Sequence, residues 1–170
     1  MTKNTVDKLY RRHRASIFRY FYRMGGNYHL AEELTQETFY QAALSLDGFR
    51  GESTLSTWLF RIAFYVYAGH LRSNHESRSL EWDVPDTNRA GDPPRALESA
   101  ESMRLARNAL QKLPIRYRAA IVLREIEGLT FEELGAVLDV SPSTARVILC
   151  RAKEKFRVLF NQLTEGDSSD

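Results

Sequence analysis

The stretch from Leu129 to Phe160 constrains this chain most, because it carries two helix starts separated by a turn short enough to force a tight corner. Thr130 followed by Glu133 is a capping-box pattern, in which the hydroxyl satisfies one free amide at a helix start and the carboxylate another. Phe131, Leu134 and Leu138 keep helical spacing as far as Asp139-Val140. Ser141-Pro142 then opens a second helix, with serine as the cap and proline at the first helical position. Ala145, Leu149, Ala152, Phe156 and Leu159 alternate steps of four and three, which places them on one buried stripe. The opposite face is basic: Arg146, Arg151, Lys153, Lys155 and Arg157 stand against Glu154 alone, in a chain whose net charge is only +2. A phosphate backbone is the natural partner of that imbalance. The pattern reads as a helix-turn-helix, with Ser143, Thr144, Arg146 and Val147 where a recognition helix meets base edges. An ordinary helical hairpin with a solvated basic face is the alternative.

A length of 170 residues, with 43% hydrophobic and 27% charged residues, suits a soluble chain folded as two small domains. No apolar run is long enough to span a membrane, and MTKNTVDKLYRRHR has no apolar signal core, so a cytoplasmic protein without membrane insertion is expected. The single cysteine, Cys150, rules out an internal disulfide and reads as passive, since no second cysteine could resolve an oxidised thiol. His13, His29, His70 and His75 lack metal-ligand spacing, and there is neither a glycine-rich phosphate loop nor a nucleophile elbow. No metal, cofactor or enzymatic activity is expected.

In chain order, the periodicity predicts a helix over 5–24 with Val6, Leu9, Tyr10, His13, Ile17, Tyr20, Phe21 and Met24 on one side, ended by Gly25-Gly26-Asn27. A second helix over 29–46 turns Ala31, Leu34, Thr38, Phe39, Ala42 and Leu46 inward. Its outward strip, Glu33, Gln36, Glu37, Tyr40 and Leu44, mixes acids and an amide with two residues a solvated face does not need, so a protein-binding surface and a plain exposed face are both open. Asp47–Thr54 reads as a loop whose Ser53 or Thr54 caps a third helix, Leu55 to about Arg72, that buries Leu55, Leu59, Ile62, Ala63 and Val66. Arg61, Phe64, Tyr65, Ala68 and Arg72 then face outward with Trp58 at the border. Exposed rings interleaved with arginine suit unpaired nucleic acid; coverage by the first helix is the competing explanation. Residues 73–95 are expected to form a flexible linker, with docking of Leu80 and Trp82 as the alternative. A helix over 96–113 follows, with Ala100, Met103, Ala106, Leu110 and Leu113 inward. Pro114 breaks it and starts Ile115 to Glu127, with Ile115, Ala119, Val122 and Ile126 apolar and Gly128 closing. Residues 164–170 read as a disordered acidic tail. The expected fold is therefore all-α, two small helical domains (1–72 and 96–163) joined by a flexible linker.

The runs EELTQETFYQA, then FRGEST and TWLFRIA, then LQKLPIRYRAAIVLREIEGLTFEELGAVLDVSPSTARV with RAKEKF, together resemble the extracytoplasmic-function class of bacterial sigma factors. The resemblance implies a two-domain initiation factor bound to core RNA polymerase. Glu33, Gln36, Glu37 and Tyr40 would meet the clamp helices of the largest subunit. Arg50, Ser53, Trp58, Arg61, Phe64, Tyr65 and Arg72 would read and trap an unstacked strand of the minus-ten element. Ser141, Ser143, Thr144, Arg146, Val147, Arg151 and Lys153 would bind promoter DNA at the minus-thirty-five element. An anti-sigma partner and a monomeric free state are implied as well. Three departures mark this chain: Phe64-Tyr65 where Arg-Asn is common, Gly69 where an aspartate is common, and Val147-Ile148 where Ser-Arg is usual. They weaken polar readout at both elements, leaving either aromatic and apolar contacts such as thymine methyls, or reading delegated to a partner. The alternative function is a stand-alone helix-turn-helix regulator that binds duplex DNA without polymerase.

Overall fold

The computed structural model describes residues 2–74 and 93–167, and all the regular structure among them is helical. Most of the expected linker, Leu80 and Trp82 included, lies outside the described residues. The helices are α1 (Thr2–Gly25), α2 (Tyr28–Ser45), α3 (Leu55–Ser73), α4 (Pro93–Lys112), α5 (Ile115–Ile121), α6 (Phe131–Leu138) and α7 (Pro142–Asp167). A 3₁₀ turn, Leu46–Gly48, follows α2, and a π turn, Val122–Ile126, follows α5.

Local chemistry sets the first three helices. Gly26, at φ +69°, turns the chain out of α1, and the Asn27 side chain accepts from the Leu30 N–H at 2.9 Å to start α2. Thr54 rather than Ser53 caps α3, accepting from the Thr57 N–H at 3.1 Å. Each such cap contributes about 1 kcal/mol. The short α1–α2 corner makes those helices neighbours along their length, and α3 packs across both. Ile17, Tyr20, Phe21, Met24, Leu59 and Ala63 fill the space between them, while Tyr10 meets Phe39 edge to face at 5.0 Å.

The second half departs from simple periodicity in three places. α4 starts at Pro93, ahead of the expected 96, and is buried through Leu105, Ala109, Leu110 and Leu113, whereas Ala100 and Met103 are exposed. It packs chiefly against α7, and also against α1. Beyond α5 the Glu127 N–H reaches back five residues to the Val122 carbonyl at 3.0 Å. The residue thus inserted in the turn rotates Ile126 outward, 43% exposed, and brings Leu123 into the core. Thr164–Asp167, expected to begin a tail, continues α7, with Asp167 3.5 Å from Arg104.

The helix-turn-helix corner depends on two backbone features. Asp139 adopts the left-handed conformation at φ +59°, and Gly135 lies so close to the turn that a Cβ there would sit 2.6 Å from the Val140 carbonyl oxygen. Ser141 then caps α7, accepting from the Thr144 N–H at 3.1 Å.

The two halves pack on each other and share one continuous apolar cluster: α3 lies against α6, and α1 against α4 and the π turn. Arg118 is buried at this junction. Its guanidinium donates to the Met24 carbonyl at the end of α1 (2.8 Å), to the Gln111 and Leu113 carbonyls at the end of α4 (2.9 and 3.1 Å), and to the Tyr67 hydroxyl (2.9 Å). Positive charge set against two helix C-termini is electrostatically favourable, which offsets part of the cost of burying it.

Candidate functional site

Three surfaces collect the residues singled out by sequence. On α2, Glu33, Gln36, Glu37 and Tyr40 are all exposed, and Leu44 beside them is 66% exposed. The inward side of the same helix, Ala31, Leu34, Thr35, Thr38, Phe39 and Ala42, is fully engaged. Glu37 accepts from Gln41 at 2.8 Å and Glu33 lies 3.7 Å from His29, so the strip is held in order by its own polar pairs.

The second surface is built by the 49–54 loop and α3. Phe49 and Trp58 meet with ring centroids 5.2 Å apart, and a cavity of about 390 Å³ opens beside them, lined among others by Arg50, Ser53, Trp58 and Arg61. Tyr65 stands exposed with the Arg61 guanidinium 5.7 Å from its ring centre. Arg72 lies farther along α3, beside a separate groove that Tyr65 also lines. Phe64 does not belong to this surface: it is only 4% exposed, so the expectation that it faces outward is corrected. It lines that separate groove together with Ile115 of the second half. Arg61 is also engaged. It donates to the Ala136 carbonyl of α6 at 2.9 Å and lies 3.7 Å from Asp139. Ala136 forms one wall of the cavity.

The third surface is the N-terminal end of α7. Ser141, Ser143 and Thr144 share a hydroxyl cluster, with Ser141 Oγ 3.1 Å from Ser143 Oγ and donating to Thr144 Oγ1 at 2.8 Å. Val147 is 46% exposed and Arg151 is exposed beside it. Lys153 is paired with Glu125 at 2.5 Å, an acid from the π turn that lowers the net charge of this face. Arg146 rests on the Phe131 ring, its guanidinium carbon 4.2 Å from the ring centre.

Sequence reasoning missed Arg118, Arg124 and Phe131 as organising residues. A charged residue at Arg118, between Ile115 and Val122 on the apolar side of α5, was the available signal for a buried ionic site. Burial pushes the Tyr67 phenol above its ordinary range, and the Arg118 charge and hydrogen bond pull the other way. Among the described residues no helix is long and apolar enough to cross a membrane.

A helix-turn-helix with a basic second helix, and beside it a three-helix unit with an aromatic-lined cavity, defines a nucleic-acid-binding class of protein. Residues 9–76 match the family model of sigma-70 region 2, and residues 103–156 that of sigma-70 region 4. SigW, an extracytoplasmic-function RNA polymerase sigma factor of Bacillus subtilis, is 32% identical over 151 residues, spanning 83% of this chain and 81% of its own. SigE of Mycolicibacterium smegmatis is 36% identical over 155 residues, 89% of this chain, which spans only 60% of that longer protein. A solved structure of the sigma factor RpoE with the anti-sigma factor NepR from Bartonella quintana shares the fold, with a TM-score of 0.69 at 20% identity over 91% of this chain and 96% of that one. CnrH in complex with the cytosolic domain of CnrY does so with a TM-score of 0.66 at 24% identity, over 94% and 90%. The chain belongs to the extracytoplasmic-function class of bacterial sigma factors.

Proposed function

We propose that this chain is a promoter-specificity subunit with no catalysis of its own, acting in the cytoplasm. It binds core RNA polymerase through α2, reads the unpaired minus-ten strand with the 49–54 loop and α3, and docks α7 in the major groove at the minus-thirty-five element. The observation that carries this reading is the exposed strip of α2. Tyr40 and Leu44, 60% and 66% exposed, sit among Glu33, Gln36 and Glu37 on a helix whose other side is already packed. Large apolar groups rimmed by polar ones are what a partner surface requires. Clamp helices of the largest polymerase subunit are the proposed partner there.

The cavity beside Phe49 and Trp58 supports the minus-ten assignment, since aromatic rings and arginines in one lining suit a flipped base and its phosphate. Units 1–72 and 96–163, the latter with its helix extended back to Pro93, carry the two promoter contacts. An inhibitory anti-sigma partner is proposed because RpoE and CnrH, which share this fold, were solved bound to NepR and CnrY. The free chain is proposed to be monomeric.

The test is size-exclusion chromatography of the chain with core polymerase, wild type beside a Gln36→Ala, Tyr40→Ala double variant. Co-elution of the wild type and its loss in the variant are expected. A wild type that elutes alone yet shifts duplex DNA would replace this reading with the stand-alone regulator.

A further inference from the structure

Phe131 is the first residue of α6, and two arginines from two other elements converge on its ring. Arg146 of α7 places its guanidinium carbon 4.2 Å from the ring centre, and Arg124 of the π turn places its own 4.3 Å away. Neither guanidinium has a carboxylate partner among the described residues, although Lys153 nearby does. Two like charges gathered on one ring repel each other, and the ring quadrupole offsets that only in part. The arrangement is complete when an anion joins it.

The donors are placed for that. A guanidinium stacked on a ring keeps its N–H groups at the edge, pointing away from the ring axis. Arg124 spends one nitrogen on the Leu129 carbonyl at 2.7 Å, which fixes the plane of the rest. Arg146 is exposed. In a helix-turn-helix the first helix crosses the DNA backbone while the second enters the groove. Phe131 opens the first helix, so groups gathered on its ring face the backbone rather than the base edges.

Resting on the promoter-binding reading above, we propose that Phe131 is a positioning residue: it holds Arg124 and Arg146 as one clamp for the phosphate backbone flanking the minus-thirty-five element. Base reading at that element then falls to Ser143, Thr144 and Val147.

The experiment uses holoenzyme assembled from core polymerase and the full chain, on a duplex that the wild type recovers from a random-sequence pool. Affinity is measured against salt concentration for wild type, Phe131→Leu, Phe131→Tyr, Arg124→Gln and Arg146→Gln. Phe131→Leu should weaken binding about tenfold and make the slope of log affinity against log salt shallower by about 1 to 2, as expected for lost phosphate contacts. The loss should be uniform over single-base changes in the duplex, while Phe131→Tyr should bind as wild type. Each arginine variant should reduce the slope by about 1, and adding Phe131→Leu to the two together should change little more. An unchanged slope in Phe131→Leu, a loss that depends on base identity, or failure of tyrosine to restore binding overturns the clamp. If Phe131→Leu does not fold, the arginine variants decide, and a wild-type slope in Arg124→Gln overturns it. A wild type with no affinity for any duplex overturns the clamp together with the reading beneath it, whereas an unaffected Phe131→Leu beside a binding wild type overturns the clamp alone.

Discussion

Arg118 donates to the carbonyl oxygen of Met24 at 2.8 Å, joining residues 94 positions apart in sequence. The same carbonyl also receives the Gln111 side-chain amide at 2.6 Å and the Tyr67 hydroxyl at 3.1 Å. One oxygen at the end of α1 is thus the meeting point of α3, α4 and α5. Arg118→Ala should cost about 2–4 kcal/mol, because it leaves the Gln111 and Leu113 carbonyls and the Tyr67 hydroxyl without their charged donor. Urea unfolding gives the stability. X-ray scattering gives the second expectation, a larger radius of gyration as the halves part; Arg118→Lys, a point charge in place of a fork, should recover only part of either.

The Tyr20 hydroxyl is fully buried and has no hydrogen-bond partner among the described residues. Tyr20→Phe should therefore be neutral or stabilising by about 1 kcal/mol at pH 7, since it removes a desolvated donor without opening a cavity. Burial drives its phenol well above the ordinary value. With the folded value raised, the stability contribution is whole below about pH 10 and lost as pH rises beyond it, where only the unfolded chain gives up its proton. Melting temperatures from pH 7 to 11 should fall more gently in Tyr20→Phe than in wild type.

Two glycine-to-alanine changes should act in opposite directions. At Gly135 the new methyl would meet the Val140 carbonyl oxygen at 2.6 Å and the Pro142 nitrogen at 3.3 Å, both backbone atoms. A loss of about 2–3 kcal/mol is expected, together with weaker duplex binding as α7 shifts against α6. At Gly69, inside α3, nothing lies within 4 Å of the added methyl, and Gly69→Ala should gain about 0.5–1 kcal/mol. Thermal unfolding of the two variants side by side checks both signs.

Trp58→Ala should separate polymerase binding from strand reading. The side chain lies on α3 against Phe49 and is not itself part of the exposed strip of α2, although it lines a groove with Glu37 of that strip. Co-elution with core polymerase should persist while strand opening, followed by permanganate reactivity of unpaired thymines, falls about tenfold or more, the scale of one lost base-stacking contact. Loss of both would place Trp58 in the polymerase contact instead.

Helix starts were legible from sequence because their causes are local: Thr54, Thr130 and Ser141 each cap the helix that follows them, within three residues. The outward strip of α2 was legible for the same reason, since one helix face is set by 100° steps alone. Phe64 was not legible, because 100° steps along α3 do not say how many sides of that helix its neighbours cover, and α1, α2 and α6 all pack on it. Ile126 was missed because a π turn breaks the period on which the reading rested. The clamp on Phe131 was hidden for a third reason. Its members come from three elements, and only the folded corner brings them together.

The bond from Arg61 to the Ala136 carbonyl carries a thermodynamic consequence. Where the proposed minus-ten strand takes the same Arg61 nitrogen that now donates to the Ala136 carbonyl, strand and α6 compete for that donor. Under that proposal the strand's apparent affinity is its intrinsic affinity scaled by the fraction of molecules in which the contact between Arg61 and Ala136 is open. By reciprocity, a ligand that opened the same contact would raise the affinity of the cavity for the proposed strand by the factor by which the strand raised the affinity of that ligand. Such linkage makes two weak contacts on separate halves act as one cooperative contact, without a dedicated signal passing between them.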